Sequence, residues 1–125
     1  MAAQLNHTIV LCRDKQASAA FLAEMLGRPQ PRRVDPFLAV DLDNGVSLDF
    51  METKGAITAQ HYAFLIDEAD FDRVLGKIAD KRLDHWADPM RAKPGEINHR
   101  AGGRGVYFPD PDGHFLEVLT RTHGE

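Results

Sequence analysis

Apolar and polar positions alternate with two periods along this chain, and the period changes at turn residues. Residues 5–12 are β-branched and apolar and predict a strand. Asp14 then stands as an N-cap before Ala17, Phe21, Leu22, Met25 and Leu26, which recur at helical spacing until Gly27 and Pro29 end the helix. Residues 31–35 are polar and proline-flanked, a loop or weak edge strand. Residues 37–42 form a short apolar run, Asp43-Asn44-Gly45 is a hairpin signal, and residues 46–51 return as a strand. After a linker at 52–60 the order begins again. Residues 61–66 predict a strand, and Asp67 caps a helix with Phe71, Val74, Leu75 and Ile78 on its apolar face. Residues 83–86 suit an edge strand, 88–103 a long polar loop, 105–108 a strand, Asp110-Pro111-Asp112-Gly113 a turn, and 114–121 the last strand.

The second half repeats the first. An offset of 54 residues lays His7 on His61, each in the first strand of its half. An offset of 68 lays Asn44-Gly45 on Asp112-Gly113, Leu48 on Leu116, and Asp49 on Glu117. The loop absorbs the difference of 14. Each half thus places a histidine on its first strand and a carboxylate on its last, as a duplicated unit does. Strand alternation puts Val46, Leu48 and Phe50 on one face and Ser47, Asp49 and Met51 on the other. By the same alternation His61 and Ala63 oppose Tyr62, Phe64 and Ile66, and Glu117 opposes Leu116 and Val118. The four polar candidates all fall on the face away from the helices.

Ionisable residues in otherwise apolar strands are costly unless paired or ligated. Any one of His7, His61 or Glu117 alone is well explained as a hydrogen-bonded strand residue. Together, in repeat-related positions on one face, they read as a metal site. Two imidazoles and one carboxylate suit a divalent first-row ion, Fe2+ first, with Zn2+, Mn2+ and Ni2+ also accepted. Asp49 stands as a fourth ligand or a general base. Tyr107 shares the parity of the open face and is a catalytic candidate. Within loop 88–104, Glu96 and His99 are hydrogen-bonding or acid-base groups, and Arg100 and Arg104 are clamps for a polar or anionic substrate. His85, His114 and His123 read as surface residues, and Cys12 as a packed thiol.

The chain has 125 residues, 15 Lys and Arg against 19 Asp and Glu, and a net charge of -4. That size fits one domain, 1–125, with module 1 about 1–55 and module 2 about 56–125. The charge argues against a nucleic-acid partner, and no apolar run approaches a membrane span. With one cysteine there is no intrachain disulfide, and no signal peptide is visible, so the expectation is a soluble cytoplasmic protein.

Three segments carry a family resemblance: Leu5-Asn6-His7-Thr8-Ile9-Val10, His61-Tyr62-Ala63-Phe64, and Gly105-Val106-Tyr107-Phe108 with Asp110-Pro111-Asp112-Gly113-His114-Phe115-Leu116-Glu117. The chain resembles the vicinal oxygen chelate superfamily, which contains glyoxalase I, extradiol dioxygenases, fosfomycin-resistance enzymes and bleomycin-resistance proteins. It is similar to a bacterial subgroup that includes an oxygenase-type enzyme of aromatic polyketide biosynthesis. The resemblance implies an α+β fold of two βαβββ modules whose mixed sheets curl around a metal, with helices on the outer face. It implies His7, His61 and Glu117 as ligands, and Asp49 at the place where glyoxalase I carries a glutamate ligand, one methylene longer. It also implies a homodimer whose sites are shared, His7 from one chain and His61 with Glu117 from the other. The implied function is a divalent-metal-dependent lyase, isomerase or dioxygenase acting on a small oxygen-chelating substrate. The alternatives are a drug-binding protein of the bleomycin-resistance type and an antibiotic thiol transferase.

Overall fold

The structure is a computed structural model, and it describes residues 1–122. His123 lies outside the described residues. The chain divides into two compact units, the first Met1–Thr58 and the second beginning at Ala59.

In the first unit, β1 (His7–Cys12) leads into α1 (Lys15–Met25), followed by β2 (Arg32–Val34), β3 (Phe37–Asp41) and β4 (Ser47–Glu52). The Asp14 side chain accepts the Ala17 N–H and satisfies one of the donors that a helix start leaves open. Gly27 takes φ +63 just past the helix, the left-handed geometry that glycine tolerates best. The strand order is β1-β4-β3-β2, with β1 parallel to β4 and the other pairs antiparallel. Ala19, Leu22, Ala23 and Met25 of α1 are buried, as are Leu48 and Phe50 of β4. Ser47, Asp49 and Met51 occupy the other face of β4, half-buried, so strand parity holds as read from the sequence.

The second unit contains β5 (His61–Leu65), α2 (Glu68–Lys81), β6 (Gly105–Pro109) and β7 (Phe115–Leu119). Its strand order is β5-β7-β6, with β5 parallel to β7 and β6 antiparallel to it. Asp67 caps α2 by accepting the Asp70 N–H, Glu68 and Asp70 complement the helix dipole, and Lys81 stands in the last turn. Phe71, Val74 and Ile78 are the buried stripe of α2. Two helices and seven strands in two mixed, unclosed sheets make up the described residues, an α+β fold.

Two local expectations change. Residues 83–86 do not form a strand: only Trp86 pairs, in isolated bridges with Tyr107 and Pro94, because the chain bends back so that the Gly95 N–H reaches the His85 carbonyl. The segment after Trp86 is also more tightly built than a free loop. Asp88 accepts the backbone N–H groups of Ala92 and Lys93, and Asn98 pairs with Gly105. A Cβ on Gly105 would stand 2.9 Å from the Asn98 side-chain oxygen, so a larger residue would push Asn98 off its bonds to the Ala87 carbonyl and the Arg100 N–H. His114 is buried, 1% exposed, and not a surface residue. Its Nδ1 accepts the Gln60 N–H, and its own backbone N–H donates to Asp110.

Candidate metal centre

Glu117 lies in β7, the central strand of its sheet, opposite Ala63 of β5 and Tyr107 of β6. His61 starts β5 and pairs with Phe115. The small Ala63 leaves the space over β5 open, and the His61 ring lies toward Glu117, with Nε2 3.1 Å from Oε1. The other ring nitrogen, Nδ1, is 2.9 Å from the Phe115 carbonyl oxygen. A carbonyl only accepts, so Nδ1 carries the proton, and Nε2 of a neutral ring then presents a bare lone pair to a carboxylate. Among the described residues, Oε2 of Glu117 is buried with no hydrogen-bond partner. Two acceptors facing each other, one of them on a residue 4% exposed, require a cation. That cation is a proton or a metal ion. The donor types, an imidazole nitrogen and a carboxylate, fit a divalent ion, and the Phe115 carbonyl already orients the imidazole.

An aromatic face surrounds this pair. The Tyr107 ring stacks with Phe115 at 5.4 Å between centroids and with His61 at 5.8 Å. Trp86 meets Phe115 at 5.7 Å. Arg100 donates from Nη1 to the Tyr107 hydroxyl at 2.9 Å. Burial pushes the Tyr107 phenol up, the Arg100 bond opposes it, and the charge of Glu117 adds to the rise, so the phenol keeps its proton. With Arg100 donating to its oxygen, the Tyr107 hydroxyl directs its own proton toward the Glu117 carboxylate.

The remaining candidates occupy other places. His7 and Asp49 belong to the first unit, on one face, since His7 pairs with Ser47 and Ile9 with Asp49. His7 is exposed, with Nδ1 2.7 Å from Asn6 Oδ1. Asp49 Oδ1 accepts the Ser47 hydroxyl at 2.7 Å. Among the described residues no three His, Cys, Asp or Glu side chains gather into a group that could hold a metal. Glu96, His99 and Arg100 line a cavity of about 430 Å3 together with Lys93 and Asn98. Arg104, expected as a second clamp, is directed instead to α2. It donates to Glu68 at 2.8 Å, pairs with Asp72 at 2.9 Å, and covers the Phe71 ring. It precedes β6 by one residue, so it carries the helix-side parity of Val106 and not that of Tyr107. Sequence reading missed Arg91, Trp86 and Phe115. The parity of Phe115 with Glu117 was the available signal for one of them.

A sequence profile of the Glyoxalase/Bleomycin resistance protein/Dioxygenase superfamily matches residues 4–118. The chain belongs to this superfamily. Within it, the chain is similar to the solved structure "Oxidase ChaP-H1", at 55% identity over 99% of this chain and 100% of that one, with a TM-score of 0.97. The structure "Oxidase ChaP-H2" is 56% identical over 100% of this chain and 98% of that one, also at 0.97. A third relative is "Glutathione transferase FosA" of Serratia marcescens, 29% identical, covering 94% of this chain and 81% of the relative. Relatives across the superfamily are enzymes, both oxidases and transferases by name. No helix among the described residues is long and apolar enough to cross a membrane.

Proposed function

We propose that this chain is a divalent-metal-dependent oxidase acting on a small substrate that offers oxygen donors, with His61 and Glu117 as two of its metal ligands. The observation that carries the metal is His61 Nε2, bare in a neutral ring, facing Glu117, whose second oxygen is buried and makes no hydrogen bond among the described residues. His7 of a second copy of the chain is the third ligand in this reading, which makes the working unit a homodimer with shared sites. The choice of oxidase rests on 55% and 56% identity to two oxidases along essentially the whole chain.

A bound iron ion would supply a Lewis acid with open positions for substrate oxygens and dioxygen. The protein supplies the rest. The Phe115 carbonyl fixes the His61 ring, so Nε2 points into the site without reorganisation. Tyr107, held protonated, donates a hydrogen bond to a substrate oxygen that gains charge, and Arg100 keeps its hydroxyl oriented. Phe115 and Trp86 form the apolar wall that excludes water. Asp49 accepts a proton from the substrate in a site that also takes His7. Glu96 and His99 hold the substrate's polar periphery from the cavity beside Arg100.

The test is metal content and oxygen uptake on protein purified without chelator or nickel resin, with catechols and quinones as probes. About one iron per chain, and oxygen uptake lost on chelation, is the expected result. A second reading, thiol transfer, is favoured by the likeness to FosA. Glutathione-dependent loss of fosfomycin with no oxygen uptake would replace the first reading with it.

A further inference from the structure

Two guanidinium groups border the aromatic face beside His61 and Glu117, and we propose that Arg91 and Arg100 form an anion subsite for a carboxylate or phenolate of the substrate. The inference deepens the reading of that face as the substrate site and rests on it.

The first observation is where the cations lie. Arg91 Cζ is 5.1 Å from the Trp86 ring centroid and 4.8 Å from that of Phe115. Arg100 Cζ is 5.8 Å from the Tyr107 centroid, and its Nη1 donates to the Tyr107 hydroxyl. A guanidinium lying over a ring satisfies its charge in part while its N–H groups, which radiate in its own plane, stay available to a planar anion. Arg100 uses one of its five donors on Tyr107 and has others left.

The second observation is what the cations lack. Among the described residues Arg91 and Arg100, like Arg82, have no carboxylate partner, whereas Arg28, Arg32, Arg33, Arg73 and Arg104 each pair with an aspartate or glutamate; of the three, Arg91 and Arg100 are the ones that lie over the aromatic face. In a chain with 19 acidic against 15 basic residues, carboxylates are not scarce. The nearest acid in sequence, Asp88, is engaged elsewhere. Its carboxylate accepts the Ala92 and Lys93 N–H groups, and those bonds hold it below the ordinary aspartate range.

The third observation is how Arg91 is presented. Its backbone takes φ +59, the left-handed region that side chains other than glycine seldom adopt, and its N–H donates to the Asp88 carbonyl. The Asp88 turn thus holds an arginine where a glycine would be easier, with the guanidinium on Trp86 and Phe115.

Trp86 is the single tryptophan of the chain, so its fluorescence reports on this face directly. The experiment titrates metal-free protein in EDTA with 4-nitrobenzoate and with 4-nitrobenzamide, ring-matched quenchers that differ in charge. Saturable quenching by the acid, at least about tenfold weaker binding of the amide, and loss of that preference in Arg91→Gln are expected. Arg91→Lys should recover part of it, and circular dichroism checks that each variant is folded. Equal binding of acid and amide, an unchanged midpoint in Arg91→Gln, or no saturation by the acid up to about 10 mM overturns the subsite. The titration needs no metal. Anion binding in a chain that takes up no metal would therefore keep the subsite and defeat the oxidase reading, and the reverse pattern would do the opposite.

Discussion

Replacing Glu117 by glutamine separates a carboxylate kept for function from one kept for the fold. Glu117 is 4% exposed, and among the described residues its Oε2 has no hydrogen-bond partner. Its Oε1 faces His61 Nε2, which carries no proton in a neutral ring whose Nδ1 donates to the Phe115 carbonyl. A buried polar group left unpaired costs about 1–3 kcal/mol, more when charged. Glutamine keeps the shape, removes the charge, and can donate its amide N–H to His61 Nε2. Glu117→Gln is therefore expected to stabilise the metal-free chain by about 1–3 kcal/mol, a rise in Tm of roughly 3–10 °C for a chain of this size. The same variant is expected to weaken metal binding by at least about a hundredfold. The assay is urea or thermal unfolding in EDTA near pH 8, above the ordinary imidazole range, paired with a metal titration of both proteins. A metal-free variant less stable than the parent would show that the carboxylate supports the fold, and the metal argument built on its isolation would fail.

Three further predictions concern residues around the site. Asp49→Ala should keep metal and lose oxygen uptake. Loss of metal instead would make Asp49 a ligand, and elemental analysis decides between the two. Arg104→Ala should cost about 1 kcal/mol of stability, because it removes a two-carboxylate ion pair and the cover over Phe71. Metal content should not change, since Arg104 serves α2. Burial pushes the Asp110 carboxyl up. Its folded-state value lies above its unfolded one, so its contribution to stability declines as pH rises from the ordinary carboxylate range through that raised value. Asp110→Asn keeps an oxygen to accept the Asp112 and His114 N–H groups. Its advantage over the parent in urea unfolding should therefore open as pH rises through that window, and a pH-independent difference would refute the assignment.

Much of this was readable in the chain because strand alternation is rigid. Once Leu48 and Phe50 are assigned to the core, Asp49 must face the other way, and the structure has it so. The same rule placed Glu117 beside Tyr107 on the open side. The repeat offsets located the two histidine strands because each half begins with a parallel pair, β1 with β4 and β5 with β7. Residues set by turns and by distant backbone were harder to place. Arg91 reaches Trp86 and Phe115 only because the Asp88 turn holds it in a left-handed conformation, which no periodicity announces. His114 follows a turn glycine and reads as exposed, yet the Gln60 N–H draws its ring inward. Arg104 ends the polar loop in the sequence yet carries the parity of β6, and that one-residue boundary sends its side chain to the opposite face.

Metal content after reconstitution, measured for His7→Ala, for Glu117→Ala and for their equimolar mixture after subunit exchange, tests the central claim most directly. If the site joins His7 of one copy to His61 and Glu117 of another, the parent holds about one ion per chain and each variant alone holds none. The mixture regains about one ion per four chains, because half of the exchanged dimers carry one intact site. Full occupancy in either variant would remove that residue from the site. No recovery in the exchanged mixture would place all the ligands on one chain.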